Sequence, residues 1–160
     1  AIEVRVYAED PRNNFLPDIG KLMTYQRPQG HGIRVDDGFE QGMDIPFYYD
    51  PMIAKMICHA ENRELAIAKT LRAIDEYHIT GIETTLSFCD FVLRHEAFRS
   101  GNFDTKFVEK FFKPELLNRK TDSVEEQIAA ALAVMEVKAN HGAVENKQTT
   151  STSNWRRNRT

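Results

Sequence analysis

The period of the apolar residues changes at Asn62, and that change decides what the chain can fold into. Ahead of it the apolar positions alternate or come in short blocks, AIEVRVY, KLMTYQ, IRVDDGF and FYYDPMIAKMICHA, separated by RPQGHG and EQGMDIP. Alternation is the signature of strands, whose successive side chains point to opposite faces. Residues 12–20, with Pro17 and Gly20, read as a loop. After Asn62, NRELAIAKTLRAIDEY reads as an amphipathic helix with Leu65, Ala68, Leu71 and Ile74 as its apolar stripe. HITGI is a short apolar segment, TLSFCDFVLRHEAFRSG reads as one helix stopped by Gly101, and NFDTKFVEKFF as a shorter one capped by Asp104 or Thr105. The expected class is therefore α+β: antiparallel strands in the first ~60 residues, then packed amphipathic helices.

The rest of the chain changes character. Pro114 interrupts it, and Ser123 with Glu126 forms a capping-box pattern ahead of Val124, Ile128, Ala131, Leu132 and Met135. Beyond Asn140 the sequence turns polar, through NKQTTSTSN to WRRNRT. The expected division is a domain at 1–112, a helical extension at 113–140 and a flexible polar tail at 141–160. A net charge of −3 lacks the basic excess of a nucleic-acid binder. No apolar run approaches the roughly 18 residues of a membrane span, so neither nucleic acid nor membrane is an expected partner. Cys58 and Cys89 have no metal or redox spacing and read as free thiols in a reducing compartment. With no signal-peptide pattern, a cytoplasmic location is expected. A start inside a strand pattern, without Met, is the expectation for a piece of a longer protein.

Generic catalytic signatures are missing. The sequence has no GxxxxGK[ST], HExxH, GxSxG or paired CxxC, and His31, His59, His78, His95 and His141 are scattered, so no metal site is expected. In the first strand Ile2, Val4 and Val6 share one face while Glu3, Arg5 and Tyr7 share the other. On the residues alone, Arg5 reads as a solvated strand residue. Asp10-Pro11 reads as a turn start, and Tyr48, Tyr49 and Asp50 as strand-end packing with a turn.

The strings EVRVYAEDP, FLPDIGKL, GIRVD, PFYYDPMIAKMI, HAENRELAIAKTLRAIDEY, GIETT and FRSGNFDTKFVEK, in that order, resemble the C-terminal domain of biotin carboxylase from Ala1 to about Phe112. That is the ATP-dependent component of acetyl-CoA, propionyl-CoA, methylcrotonyl-CoA and pyruvate carboxylases. The resemblance implies an enzyme that uses ATP with Mg2+ or Mn2+ to make carboxyphosphate from bicarbonate. Carboxyphosphate then releases CO2 to N1 of biotin on a separate carrier. The family's ATP-grasp machinery lies ahead of this segment, so the isolated chain is expected to be inactive and to bind no cofactor. The family's catalytic arginine matches Arg5, placed to stabilise charge on the ureido oxygen of biotin, a task that suits an always-protonated, many-donor guanidinium. Glu3 would orient it, and Asp50 would help to shape the pocket. His31, Arg34 and Glu76 fall where the family has homodimer-interface residues. Expected partners are the biotin carboxyl carrier and carboxyltransferase components, and no AMKM-like string marks a biotinylated lysine here. The competing reading is a non-catalytic oligomerisation or partner-binding module.

Overall fold

Strand β1 (Ile2–Tyr7) buries Val4 and Val6 and turns Glu3 and Arg5 outward, following the alternation of its sequence. The computed structural model describes residues 1–46, 48, 50–117, 128 and 131–135. β1 pairs antiparallel with β6 (Met52–Cys58), which pairs on its other side with β5 (Ile33–Asp37). Central β6 buries Ile53, Ala54, Met56 and Cys58 and is paired along both of its edges. It takes up the part of the FYYDPMIAKMICHA block that follows Pro51. Tyr48 is 94% exposed and does not pack at the strand end, while Phe47 and Tyr49 lie outside the described residues.

The segment read as a loop at residues 12–20 contains a hairpin instead. β2 (Glu9–Asp10) pairs with β3 (Leu16–Pro17) around a 3-10 turn, Pro11–Asn13, whose first N–H groups are capped by the Asp10 carboxylate accepting from Arg12 N at 2.9 Å. Pro17 is tolerated because an edge strand can spare an N–H. Phe15 sits at φ 56°, unusual for a bulky residue, and its ring is held by Phe88 and Phe112 at centroid distances of 5.0 and 5.6 Å.

β4 (Thr24–Gln26) pairs with β7 (His78–Thr80), so strand structure is not confined to the first ~60 residues: one strand returns after the first helix. The turn that follows needs Gly81, at φ 97°, where a Cβ would collide with the Lys21 carbonyl.

Helix α1 (Arg63–Asp75) starts at Asn62, whose side chain accepts from Leu65 N at 2.9 Å. Its buried face is Ala66, Ile67, Thr70, Ala73 and Ile74, not the expected Leu65–Ala68–Leu71–Ile74 stripe, and Leu65 is 49% exposed. The reason is geometric. Residues three apart advance by about 300° around a helix, so a run of such steps fans across the cylinder and sets Leu65 opposite Ile74. The small Ala66, Thr70 and Ala73 let the helix approach the sheet closely.

The single helix expected from TLSFCDFVLRHEAFRSG is two, α2 (Leu86–Arg94) and α3 (Glu96–Ser100). His95 is extended between them, and its Nδ1 accepts from Ala97 N at 3.2 Å, capping α3, which Gly101 ends in the left-handed region at φ 80°. In α4 (Phe107–Phe111) the cap is Lys106, not Asp104 or Thr105. Asp104 acts one turn earlier, accepting from Lys106 N at 3.0 Å and forming an ion pair with Lys110 that holds its carboxyl below the usual range. A second 3-10 turn follows at Pro114–Leu117.

The core joins the inner face of the three-stranded sheet to α1, with Leu22, Ile45, Tyr77, Leu86 and Leu93 closing it. Both cysteines are free thiols, Cys58 buried and Cys89 half-buried. Among the described residues no helix is long and apolar enough to cross a membrane. The chain divides into two units, 1–118 and 119–160. In the second, Ile128 and 131–135 are helical, with Ile128, Leu132 and Met135 exposed. The capping box at Ser123 and Glu126, Val124, and the 141–160 tail lie outside the described residues.

Candidate active site

The alternation that buries Val4 and Val6 puts Glu3, Arg5 and Tyr7 in one row on the outer side of β1. Glu3 Oε1 lies 3.3 Å from Arg5 Nε, with the two side chains 45% and 60% exposed. First the Glu3 carboxylate and then the Tyr7 hydroxyl push the guanidinium pKa up from its ordinary value. Arg5 is thus a permanent cation flanked on its own strand by two partners: Glu3 engages Nε, and the Tyr7 hydroxyl lies beside the guanidinium.

Arg5 stands on the rim of a groove of about 350 Å³ between β1 and α2, floored by Phe15, Phe88, Val92 and Phe98 and edged by Glu3 and Glu9. An apolar floor with a few polar groups at its edge is the usual composition of a small-molecule site. Glu9, at the far end of the rim, has its pKa raised by desolvation and then by Asp50. Asp50 accepts from Met52 N at 3.0 Å and stands beside Glu9, so the structure joins Glu3 to Arg5 directly and places Asp50 at the opposite end.

Two neighbours of Arg5 escape a reading of the sequence. Lys55 is its register partner on β6, and Asp36 on β5 is the next residue along the same rung. Glu3, Ile57 and Arg34 form the adjacent rung, so Arg5, Lys55 and Arg34 share the outer face of the sheet. Thr85 is the other, and it holds the β1 backbone. Neither carries a local signal, because each depends on which segments pair.

His31, Arg34 and Glu76 are all exposed. Arg34 Nη2 pairs with Asp36 Oδ2 at 3.0 Å, and Glu76 Oε1 with Arg72 Nε at 3.6 Å. A Cβ on Gly30 would lie 3.2 Å from Arg72 Nη2, so the end of α1 that carries Glu76 meets the loop that carries His31. That loop also needs Gly32, at φ 76°, where a Cβ would be 2.6 Å from both the His59 carbonyl and Lys69 Nζ. Among the described residues no three His, Cys, Asp or Glu cluster as metal ligands.

The family described as the biotin carboxylase C-terminal domain matches residues 3–110. The chain is 49% identical over 111 residues to biotin carboxylase 1 of Bacillus subtilis, covering 69% of this chain and 25% of that protein. It is 38% identical over 148 residues to the mitochondrial propionyl-CoA carboxylase alpha chain of Homo sapiens, covering 88% of this chain and 20% of that one. Among solved structures, the biotin carboxylase domain dimer of Hydrogenobacter thermophilus 2-oxoglutarate carboxylase, in complex with MgADP, ADP and bicarbonate, superposes with a TM-score of 0.69 at 36% identity, covering 73% of this chain and 25% of that one. The chain spans about a quarter of the length of these relatives or less.

Proposed function

Because the chain belongs to the biotin carboxylase C-terminal domain family, we propose that it forms one wall of the bicarbonate and biotin pocket of a biotin-dependent carboxylase, with Arg5 as its catalytic residue. One observation carries this reading: the arginine of the E-x-R-x-x-A-E-D-P string stands outward on β1, held at Nε by Glu3, at the rim of an apolar groove. A guanidinium held in this way can donate to a carboxylate or to a developing oxyanion without reorganising. The described residues fit a ureido oxygen or bicarbonate better than a nucleotide, since a single rim cation over aromatic rings suits a small polar head on an apolar ring. ATP and its metal are assigned to no residue of this chain. In the intact enzyme they would activate bicarbonate, the source of the carboxyl group, by phosphorylating it.

The same reading makes the isolated chain inactive. Its partners are the biotin carboxyl carrier and carboxyltransferase components. It also makes the enzyme a homodimer through His31, Arg34 and Glu76, consistent with the dimer of the Hydrogenobacter relative. Arg5→Ala in the intact enzyme is expected to lower carboxylation of free biotin by roughly 100- to 1000-fold. A folded variant with an unchanged rate would refute the assignment.

A further inference from the structure

β1 is the outermost strand of its sheet, and an edge strand leaves alternate backbone N–H and C=O groups unpaired. Three of these groups, the Arg5 carbonyl and the Tyr7 N–H and carbonyl, are taken up by one residue, 80 and 78 positions away. Thr85 Oγ1 donates to the Arg5 carbonyl at 3.1 Å and accepts from Tyr7 N at 3.0 Å, and Thr85 N donates to the Tyr7 carbonyl at 3.1 Å. Thr85 is 5% exposed, so these bonds are shielded from competing water.

Its position makes this use of the hydroxyl informative. Thr85 immediately precedes α2, and because its own backbone is already helical, at φ −70° and ψ −1°, rather than extended, its hydroxyl makes no cap bond to that helix. The hydroxyl serves β1 instead, at the two residues that bracket the register shift between Val6 and Tyr7 and the outward turn of the Arg5 side chain.

We infer that Thr85 is a positioning residue for Arg5: its hydroxyl and amide lock the free edge of β1 against the start of α2 and so fix where the guanidinium stands over the groove. This rests on the reading of Arg5 as catalytic. Glu3 sets the direction of the guanidinium, and Thr85 sets the backbone from which it projects.

The test uses Thr85→Val, which keeps the shape and removes the donor and acceptor, in the intact enzyme beside Arg5→Ala and Thr85→Ser. T85V is expected to lower kcat for carboxylation of free biotin about tenfold. KM for ATP and the bicarbonate-dependent ATP hydrolysis measured without biotin should stay within about twofold, changes that correspond to well under 1.4 kcal/mol. T85S, which restores the hydroxyl, is expected to recover most of the rate. If R5A loses biotin carboxylation while T85V keeps it, the positioning role is refuted and the reading of Arg5 stands. If R5A keeps it, the reading of Arg5 itself fails. Should T85V not fold, Thr85→Ala, which leaves room for water at the two bonds, takes its place with the same expectation. Failure of both to fold, or an equal fall in ATP hydrolysis and biotin carboxylation, would make Thr85 a structural residue and overturn the inference.

Discussion

Arg5 faces Lys55 across β1 and β6, two cations opposite each other where a sheet gains most from opposite charges or apolar pairs. The Thr85 bonds mark Arg5 as a residue whose backbone groups point away from β6, and such non-hydrogen-bonded pairs bring side chains closest. Glu3 beside Arg5 and Asp36 beyond Lys55 offset the repulsion without removing it. Stability does not explain that arrangement, whereas the proposed site for an anion would use it. Lys55→Met, which keeps the stem and removes the charge, is therefore expected to raise stability by about 0.2–1 kcal/mol in urea denaturation. A loss would show that Lys55 is held by attraction. At this scale the sequence discloses what is local. The Glu3–Arg5 contact follows from strand alternation, but Lys55 and Thr85 meet Arg5 only through pairing across 50 and 80 residues, which no window of sequence displays.

Among the elements, α1 shows how a correct helix can be assigned the wrong face. The sequence marks its start at Asn62 and its extent, but Leu65, Ala68, Leu71 and Ile74, spaced by three, fan around the helix, and the face that meets the sheet is Ala66, Ile67, Thr70, Ala73 and Ile74. Ile67→Ala should cost about 2–5 kcal/mol and Leu65→Ala under about 0.5 kcal/mol, as one empties a core site and the other trims a half-exposed side chain. Comparable costs in urea denaturation would restore the stripe read from the sequence. β4, β5 and the end of α1 are joined by a polar latch that sequence patterning could not show. Tyr25 donates to Asp37 at 3.1 Å and its oxygen lies 2.7 Å from that of Tyr77, while Arg27 reaches Asp37 at 3.1 Å. Desolvation first pushes the Tyr77 pKa up to about 12 from 10, and raises that of Tyr25 as well. An acid whose pKa is higher folded than unfolded stabilises fully below pH 10 and loses that contribution as pH rises from 10 to 12, because the unfolded chain releases its proton first. Tyr77→Phe should cost about 1 kcal/mol at neutral pH. It should also flatten the fall in urea midpoint between pH 10 and 12, and an unchanged slope would remove Tyr77 from the latch.

For the whole molecule, the outer face of the three-stranded sheet connects the two proposed roles. Arg5 belongs to one outer strand and Arg34 to the other, separated by β6 at roughly 9–10 Å, two strand spacings. Thr85 bonds the β1 edge at Arg5 and Tyr7 and the groove borders it, so the proposed self-association would leave the pocket open on the β5 side, where His31, Arg34 and the Glu76 end of α1 lie. Arg34 pairs with Asp36 on its own strand, and reversing its charge would set two acids at that spot. Arg34→Glu is expected to weaken the proposed dimer of the intact enzyme at least tenfold, read by sedimentation equilibrium. It should also abolish the rise of Tm with protein concentration that mass action gives any dimer dissociating on unfolding. The fold should survive, since the side chain is exposed and exposed ion pairs contribute about 0–1 kcal/mol. A dimer of unchanged affinity would place the interface on another surface, and the charged outer face would then serve the pocket alone.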